Sequence, residues 1–257
     1  MNRFDEKMIK LLRELKENYH AIGLKAEFET EGTTTKEALR LTNIASMAGV
    51  DFSLKIGGCG AIKDLYDARK AGANIIVAPM IESAYAVRKF IEAVKIVFPT
   101  ETPKILINIE TKTGLDNFDK IISSEDFHKI DGVVFGRTDM VNSLNLPIDE
   151  VNSSQIFDMA KDLSIKIQKS GKIFIVGGQI NTEAVSFCKN LPYLSGYETR
   201  KIIFDIPNIL LYEKAYEGIL KAIEFEMLWL KNKQERLLPR DEDTERIKIL
   251  EQRCLKA

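Results

Sequence analysis

Short apolar runs rich in β-branched residues alternate along the chain with amphipathic segments of about three turns, a pattern typical of β/α units around a parallel sheet. The runs Ile75–Val77, Ile105–Ile107 and Val133–Phe135 are continuously apolar, as strands that are covered on both faces must be. The pattern predicts about seven strands, with the bounds Leu24–Glu29, Phe52–Ile56, Asn74–Ala78, Lys104–Glu110, Gly132–Gly136, Lys172–Val176 and Lys201–Phe204. An α/β fold is therefore expected.

The segments between these strands are predicted to be helices, because their apolar residues recur at intervals of three and four and so form one stripe that faces a sheet. Their predicted bounds are Thr35–Met47, Ala61–Ala71, Ala84–Val97, Ser154–Ser170 and Thr182–Lys189. A further amphipathic helix, Asp5–Tyr19, precedes the first strand. In a barrel, this helix could close the bottom.

The C-terminal part of the chain falls outside the alternation. It is predicted to form two helices that are split at Pro239, and the stretch Ile219–Leu230 is more apolar than a single solvated helix requires. Two interpretations are open: this stretch packs against another subunit, or it lies on the outer ring of a barrel. We treat residues 1–206 as one barrel with its N-terminal helix, and residues 207–257 as a helical extension that forms an oligomer contact.

Composition narrows the classes of protein. With 257 residues, of which 45% are hydrophobic, the chain can form one large α/β barrel or two small domains, and we find no linker that would favour two. Lys and Arg number 37 against 38 Asp and Glu, so no net positive field draws the chain to nucleic acid. No apolar run suggests a membrane span, and the charged N-terminus does not resemble a secretion signal. We expect a cytoplasmic protein that does not bind membranes.

The small number of cysteine and histidine residues disfavours thiol- and histidine-based metal sites and histidine-dependent catalysis. The three cysteines, Cys59, Cys188 and Cys254, are far apart and form no CxxC motif, so we expect reduced thiols and no structural zinc site. His20 and His128 are also far apart, which disfavours a histidine-rich metal site and a Ser-His-Asp relay. Carboxylates, lysine and arginine are the remaining candidates for chemistry.

In parallel β/α folds the reactive groups collect at the carboxyl ends of the strands. Glu110 and Asp139 each follow an apolar strand and lie 29 residues apart, about one β/α unit, so neighbouring strands would bring both carboxylates to one rim. Two carboxylates without a nearby His or Cys suit a hard cation such as Mg²⁺ or Mn²⁺. In the alternative interpretation, each carboxylate caps the following helix or pairs with Arg137. Arg200 precedes the last predicted strand and is expected at the opposite, amino end.

Three motifs carry a resemblance to a known family. Pro79–Ser83, Ile107–Thr111 and Asp131–Met140, in this order and spacing, resemble the HpcH/HpaI aldolase and citrate lyase family over roughly residues 24 to 146. The resemblance implies a (β/α)8 TIM barrel of the phosphoenolpyruvate/pyruvate type, a bound divalent metal and a homo-oligomer. By position, Glu110 and Asp139 correspond to the metal ligands of the family.

The resemblance also implies substrate contacts, with three departures. The backbone around Arg137 and Thr138 corresponds to the loop that receives the substrate carboxylate, and Glu82 lies in the first matching motif. Asn108 stands where the family has Gln, and Lys55 stands where it has a pyruvate-contacting Arg, which removes the bidentate fork. The catalytic His of the family would fall at residues 29–32, where this chain has none.

The resemblance implies a class II, divalent-metal aldolase or lyase that joins or splits pyruvate, or a related 2-oxo acid, and an aldehyde. Lys55 would add a cation beside the enolate oxygen, and either Glu31 or a hydroxide held by the metal would accept the methyl proton. Two alternatives are open: a citrate-lyase-like enzyme that acts on an acyl-CoA, and a barrel that binds a 2-oxo acid without catalysis. The family has eight strands, so either the N-terminal helix replaces the first one or a strand lies near Gly196.

Overall fold

Eight strands form a closed barrel in the computed structural model, which describes residues 3–206, 211–236 and 241–255. The strands follow one another around the barrel in chain order, and their bounds are β1 Ala21–Glu27, β2 Asp51–Lys55, β3 Ile75–Ala78, β4 Lys104–Ile109, β5 Gly132–Gly136, β6 Ile173–Gly177, β7 Gly196–Glu198 and β8 Ile202–Asp205. The expected α/β barrel is confirmed. The first strand is present, and the strand that periodicity did not predict is β7.

Helices surround the barrel and extend beyond it. Their bounds are α1 Arg3–Tyr19, α2 Thr35–Ala48, α3 Ile62–Ala71, α4 Ala84–Val97, α5 Lys112–Asp116, α6 Phe118–Ile122, α7 Arg137–Ser143, α8 Ser154–Lys169, α9 Ala184–Asn190, α10 Leu211–Arg236 and α11 Asp241–Leu255. Short 3₁₀ turns cover Glu125–Lys129 and Ile148–Asn152. Within the described ranges, no helix has both the length and the apolar character that a membrane crossing requires.

The last strand runs opposite to the others. β8 pairs antiparallel with both β7 and β1, because only Thr199, Arg200 and Lys201 connect β7 to β8, and a parallel pair would need a long crossover instead. The Thr199 amide donates to the Ile202 carbonyl over 2.9 Å and closes the hairpin. The amino end of β8 therefore lies at the carboxyl rim of the barrel. Our placement of Arg200 at the opposite end is wrong for this reason.

Apolar side chains fill two layers. Inside the barrel, inward positions of four strands form a small buried cluster of Ile75, Val77, Leu106, Val134 and Ile175. A much larger cluster packs the outer face of the sheet against the helices. Side chains alternate between the two faces of a strand, so each strand has further inward positions between the inner cluster and its carboxyl end. At these positions the sequence has polar residues.

Helix α1 lies beside the barrel and not across its bottom. Near the start of α1, Asp5 accepts a hydrogen bond of 2.8 Å from Arg40 Nε, and near its end Lys16 Nζ donates over 2.7 Å to the carbonyl of Gly49, which caps α2. The two helices are therefore side by side and parallel. The prediction that α1 closes the bottom is wrong, because its apolar face, including Met8 and Leu12, is buried in the helical layer next to α2 and α10.

The C-terminal extension packs on the barrel of its own chain. Helix α10 contacts α1, α9 and α11, and its apolar residues Ile219, Phe225 and Trp229 are buried within the single chain. The outer-ring interpretation therefore accounts for this apolar stretch. Pro239 lies at 237–240, outside the described residues. The oligomer contact and the division at residue 206 stay predictions.

Candidate functional site

A cavity of about 200 Å³ opens at the carboxyl ends of the strands. Its lining includes five of the residues that we selected from the sequence: Lys55, Asn108, Glu110, Thr138 and Asp139. Its lining does not include the other three selected residues, Glu31, Glu82 and Arg137. The cavity is smaller than those that bind drug-sized molecules, so a small substrate fits it better than a large one.

Glu110 is a buried carboxylate that three neighbouring strands hold in place. It follows β4 two residues after Asn108, on the same inward face, and Asn108 Nδ2 donates to Glu110 Oε2 over 2.8 Å. Met80, just after β3, has a positive φ of 46°, and its amide donates to Glu110 Oε1 over 2.8 Å. On the β5 side, an added Cβ at Gly136 would lie 2.5 Å from Glu110 Oε2. Only glycine leaves room for this carboxylate.

The amide of Asn108 has a second, unused polar atom. Asn108 is buried, and its Oδ1 has no hydrogen-bond partner among the described residues. A buried acceptor without a partner costs on the order of 1–3 kcal/mol. Because Asn108 also lines the cavity, this oxygen is suited to accept a hydrogen bond from a group that binds there.

Asp139 lines the same cavity as this cluster and lies in the first turn of α7. The residue is exposed, and its carboxylate forms no hydrogen bond or ion pair with a described side chain. The start of α7 has no side-chain cap, and Thr111 caps α5, the helix that follows Glu110. The alternative that these two carboxylates serve as helix caps or as partners of Arg137 is therefore not found in the described part of the chain.

Burial and neighbouring charges shift the pKa values of the ionisable residues that line the cavity. Burial raises the pKa of Glu110, and the charge of Lys55 opposes this effect. Burial lowers the pKa of Lys55, but the charges of Glu27 and Glu110 outweigh burial, so the net shift is upward. Lys55 therefore stays cationic at neutral pH, and its Nζ lies 3.4 Å from Glu27 Oε2.

Sequence reasoning missed a group of buried charges at the floor of the cavity. Lys25 pairs with Glu27 over 3.2 Å and with Glu198, and all three residues line the cavity. Burial raises the pKa of Glu27, but the charges of Lys25 and Lys55 outweigh it and lower the pKa to about 2. A signal was available: Lys25 and Glu27 are charged residues two positions apart in an otherwise apolar strand. We placed the strand end two residues too late, at Glu29, which is exposed.

Arg137 does not reach the cavity with its side chain. Its guanidinium is fully buried, donates to the carbonyl of Gly178 over 2.6 Å and to Asn152 Oδ1 over 2.6 Å, and stacks 4.7 Å from the ring centre of Phe187. The predicted contact of this segment with the substrate carboxylate involves its backbone and stays a prediction. The side chain of Arg137 joins the loop after β6 to the start of α7. Burial lowers the pKa of Arg137 to about 10.

Glu31 and Glu82 also lie outside the cavity lining. Glu31 pairs with Lys201 over 2.5 Å and with Arg200 over 3.1 Å, in a neighbouring cavity between the β7–β8 turn and the C-terminal helices. Glu82 Oε1 accepts a hydrogen bond from Thr111 over 2.7 Å. The geometry gives Glu31 no position from which to take a proton in the main cavity. Arg200, which we had placed at the far end of the barrel, does line it.

The C-terminal helices supply residues that no local pattern indicated. Glu226 of α10 and Arg246 and Arg253 of α11 line the mouth of the cavity. Arg246 forms a two-pronged contact with Glu226, of 2.7 Å and 3.0 Å. Arg253 Nη2 donates to Gln179 Oε1 over 2.6 Å, between residues 74 positions apart in the chain. Such a pairing depends on the tertiary fold, so sequence spacing could not have indicated it.

The donor set fits a divalent cation that is open to substrate. Within the described residues, no cluster of three or more His, Cys, Asp or Glu residues is arranged to hold a metal, so a closed protein cage is not formed. Mg²⁺ is commonly bound by one or two carboxylates, with water and substrate oxygens completing its shell. Glu110 and Asp139 would hold the ion, and the buried oxygen of Asn108 would accept a hydrogen bond from a water beside it.

Comparisons with known proteins agree with the motifs. Residues 58–169 match the model of the HpcH/HpaI aldolase/citrate lyase family, which confirms the resemblance stated from the sequence. A comparison with curated proteins gives no match.

Solved structures share the fold at low identity. A HpcH/HpaI aldolase from Desulfitobacterium hafniense DCB-2 is 13% identical with a TM-score of 0.60, over 87% of this chain and 90% of that one. A HpcH/HpaI aldolase/citrate lyase family protein from Burkholderia cenocepacia J2315 is 11% identical with a TM-score of 0.58, over 74% and 92%. The citrate synthase SbnG is 15% identical with a TM-score of 0.56, over 89% of each chain. At these identities the similarities show the fold alone.

Proposed function

We propose, on the premise that residues 58–169 carry the features of the HpcH/HpaI aldolase/citrate lyase family, that this protein is a divalent-metal-dependent carbon–carbon lyase. Its substrate would be pyruvate or a related 2-oxo acid, together with an aldehyde. The observation that carries the proposal is the convergence of Glu110, Asp139, Asn108 and Lys55 on one small cavity. A bound Mg²⁺ or Mn²⁺ supplies a Lewis acid for the carboxylate and 2-oxo oxygens of the substrate.

The residues that line the cavity would have different roles in the reaction. Lys55, which stays cationic, would stabilise the negative charge that develops as pyruvate loses a methyl proton and becomes an enolate. The enolate carbon then bonds to the aldehyde carbon, and the aldehyde oxygen takes a proton, which gives a 4-hydroxy-2-oxo acid. The reverse reaction breaks the same carbon–carbon bond. Asn108 orients Glu110 through its hydrogen bond.

The proton acceptor is the step that the described side chains support least. Glu31 lies in the neighbouring cavity, and the low pKa of Glu27, about 2, makes it a weak base. We therefore assign the methyl proton to a hydroxide ion, the alternative to Glu31, which a divalent cation held by Glu110 and Asp139 would make available at neutral pH. The lack of a suitably placed basic side chain also favours a second candidate function, a barrel that binds a 2-oxo acid without catalysing its conversion.

One experiment separates the two functions. With Mg²⁺ or Mn²⁺ present, the enzyme is expected to exchange the methyl protons of pyruvate with deuterium from D₂O, measured by proton NMR. Glu110→Gln should abolish the exchange, whereas Glu125→Gln, which changes an exposed carboxylate away from the cavity, should not. Stabilisation of the protein by pyruvate without any exchange would overturn the lyase proposal and support the binding protein.

A further inference from the structure

The cavity is lined by one cation, Arg253, that forms no ion pair with a described carboxylate. Among the described residues, five cationic side chains line the cavity. Four form ion pairs: Lys25 with Glu198, Lys55 with Glu27, Arg200 with Glu31 and Arg246 with Glu226. Arg253 is the fifth, and no described carboxylate lies within ion-pair distance of it. Its contact is the hydrogen bond to the neutral amide of Gln179.

The position of Arg253 is fixed by the packing of α11. Arg246 and Arg253 are seven residues apart, two helical turns, so both face the cavity from one side of the helix. Ile247 and Leu250 of α11 are buried against the rest of the chain, and Arg246 is tied to Glu226 on α10. The helix is thus held by both apolar and ionic contacts, which orients Arg253 without using its own guanidinium.

The partner of Arg253 is itself held in an unusual backbone conformation. Gln179 follows β6 with a positive φ of 49°, which costs a residue other than glycine on the order of 1 kcal/mol. This conformation brings the amide oxygen to Arg253 at the cavity mouth. The guanidinium keeps further N–H groups in the planar fork that matches a carboxylate or a phosphate. Burial and the nearby charge of Arg246 lower the pKa of Arg253, and the charges of Glu226 and Glu183 oppose this shift without cancelling it.

We propose that Arg253, oriented by Gln179, is the recognition site for an anionic group, carboxylate or phosphate, on the acceptor that reacts with the 2-oxo acid. The site lines the same cavity as Glu110 and Asp139, so positive charge would hold both reactants: the cation bound by these two carboxylates would hold the 2-oxo acid, and the guanidinium would hold the anionic group of the acceptor. This inference rests on the proposed function for the identity of the acceptor, but the anion site itself does not.

The test compares acceptors with and without an anionic group, in the presence of Mg²⁺ and pyruvate. The acceptors are glyoxylate, glyceraldehyde 3-phosphate and the neutral glycolaldehyde. The ratio of kcat/KM for the better anionic acceptor to that for glycolaldehyde should fall on the order of 10–100-fold in Arg253→Met, the effect of losing a charge-assisted hydrogen bond. Arg253→Lys should recover part of the ratio. Lys248→Met removes an exposed cation from the same helix and is the matched control. The anionic acceptor whose kcat/KM falls more in Arg253→Met shows whether the site prefers a carboxylate or a phosphate.

A binding measurement keeps this inference separate from the proposed function. Calorimetric titration with inorganic phosphate and with malonate, with Mg²⁺ and pyruvate present, should show weaker binding of at least one anion to Arg253→Met than to Lys248→Met, even if the wild-type protein exchanges no pyruvate protons. Equal binding of both anions to these two variants would overturn the inference, as would an unchanged acceptor ratio in an active enzyme.

Discussion

Asn108 donates a hydrogen bond from Nδ2 to Glu110 Oε2 over 2.8 Å, while the buried Oδ1 of the same amide has no partner among the described residues. One side chain therefore orients a carboxylate and also presents an acceptor to the cavity. This arrangement is what a residue beside a metal ligand requires, because such partners fix the orientation of the ligand.

Asn108→Ala is expected to weaken Mn²⁺ binding by about 10–100-fold, the usual effect of losing a group that orients a metal ligand. Isothermal titration calorimetry measures the affinity. Asn117→Ala is the matched control, because the Asn117 amide donates to the carbonyl of Glu82 over 3.0 Å and not to a cavity carboxylate. Equal affinities for the two variants would contradict the assigned role of Asn108.

Lys55→Met is expected to lower the rate of pyruvate proton exchange by about 10²–10³-fold, because one preorganised group that stabilises developing negative charge has an effect of this size. Mn²⁺ affinity should not fall, since the substitution removes a positive charge beside the ligands. Lys55→Arg keeps the charge and should retain part of the rate. A Lys55→Met protein that exchanges as fast as the wild type would show that Lys55 does not act on the enolate.

Gly136→Ala is expected to disturb the site without changing any charged residue. The added Cβ would lie 2.5 Å from Glu110 Oε2 and 2.8 Å from Glu110 Cβ, so the carboxylate must move and Mn²⁺ affinity should fall. At Gly60 an added Cβ meets nothing within 4 Å, and Gly60→Ala should bind Mn²⁺ like the wild type. If both variants keep full affinity, the position of Glu110 against β5 is not essential.

Glu27 makes a pH-dependent contribution to stability. Its pKa is about 2 in the folded protein against an ordinary value of 4.5, so the unfolded chain binds more protons as the pH falls and the contribution is complete only above pH 4.5. The stability advantage of wild type over Glu27→Gln should be about 1 kcal/mol smaller at pH 3.5 than at pH 6. Urea unfolding at the two pH values measures this difference.

A constant difference between wild type and Glu27→Gln at the two pH values would contradict a low pKa for Glu27. Asp116→Asn serves as the matched control for the loss of a carboxylate, because Asp116 is exposed and pairs with Lys112 on the surface.

Elements whose hydrophobic pattern is local could be predicted from the sequence. The continuous apolar run at β5 gave the strand bounds that the structure has, and Ala84–Val97 was predicted to the residue. The sequence also predicted that Glu110 and Asp139 lie at the same rim of the barrel, because this conclusion needs only the spacing of two consecutive β/α units. Strand β7 was missed because its three residues are too few to show a period.

Other features depend on contacts that no local pattern encodes. The direction of β8 follows from the three-residue connection before it, and this short connection places Arg200 at the rim. Arg137 was selected because its backbone corresponds to the loop that receives the substrate carboxylate, and the pattern did not predict that its guanidinium would donate to the carbonyls of Gly177 and Gly178. The contact of Arg253 with Gln179 joins the end of the chain to the loop after β6, and only the folded structure brings them together.

Glu110 and Asp139 are proposed to bind one divalent cation together, and a direct Mn²⁺ titration followed by electron paramagnetic resonance tests this binding. The wild-type protein is expected to bind one Mn²⁺ per chain. Glu110→Gln and Asp139→Asn should each weaken that binding by at least about tenfold, and Glu125→Gln should not change it. Wild-type affinity in both site variants would show that these two carboxylates do not bind the ion.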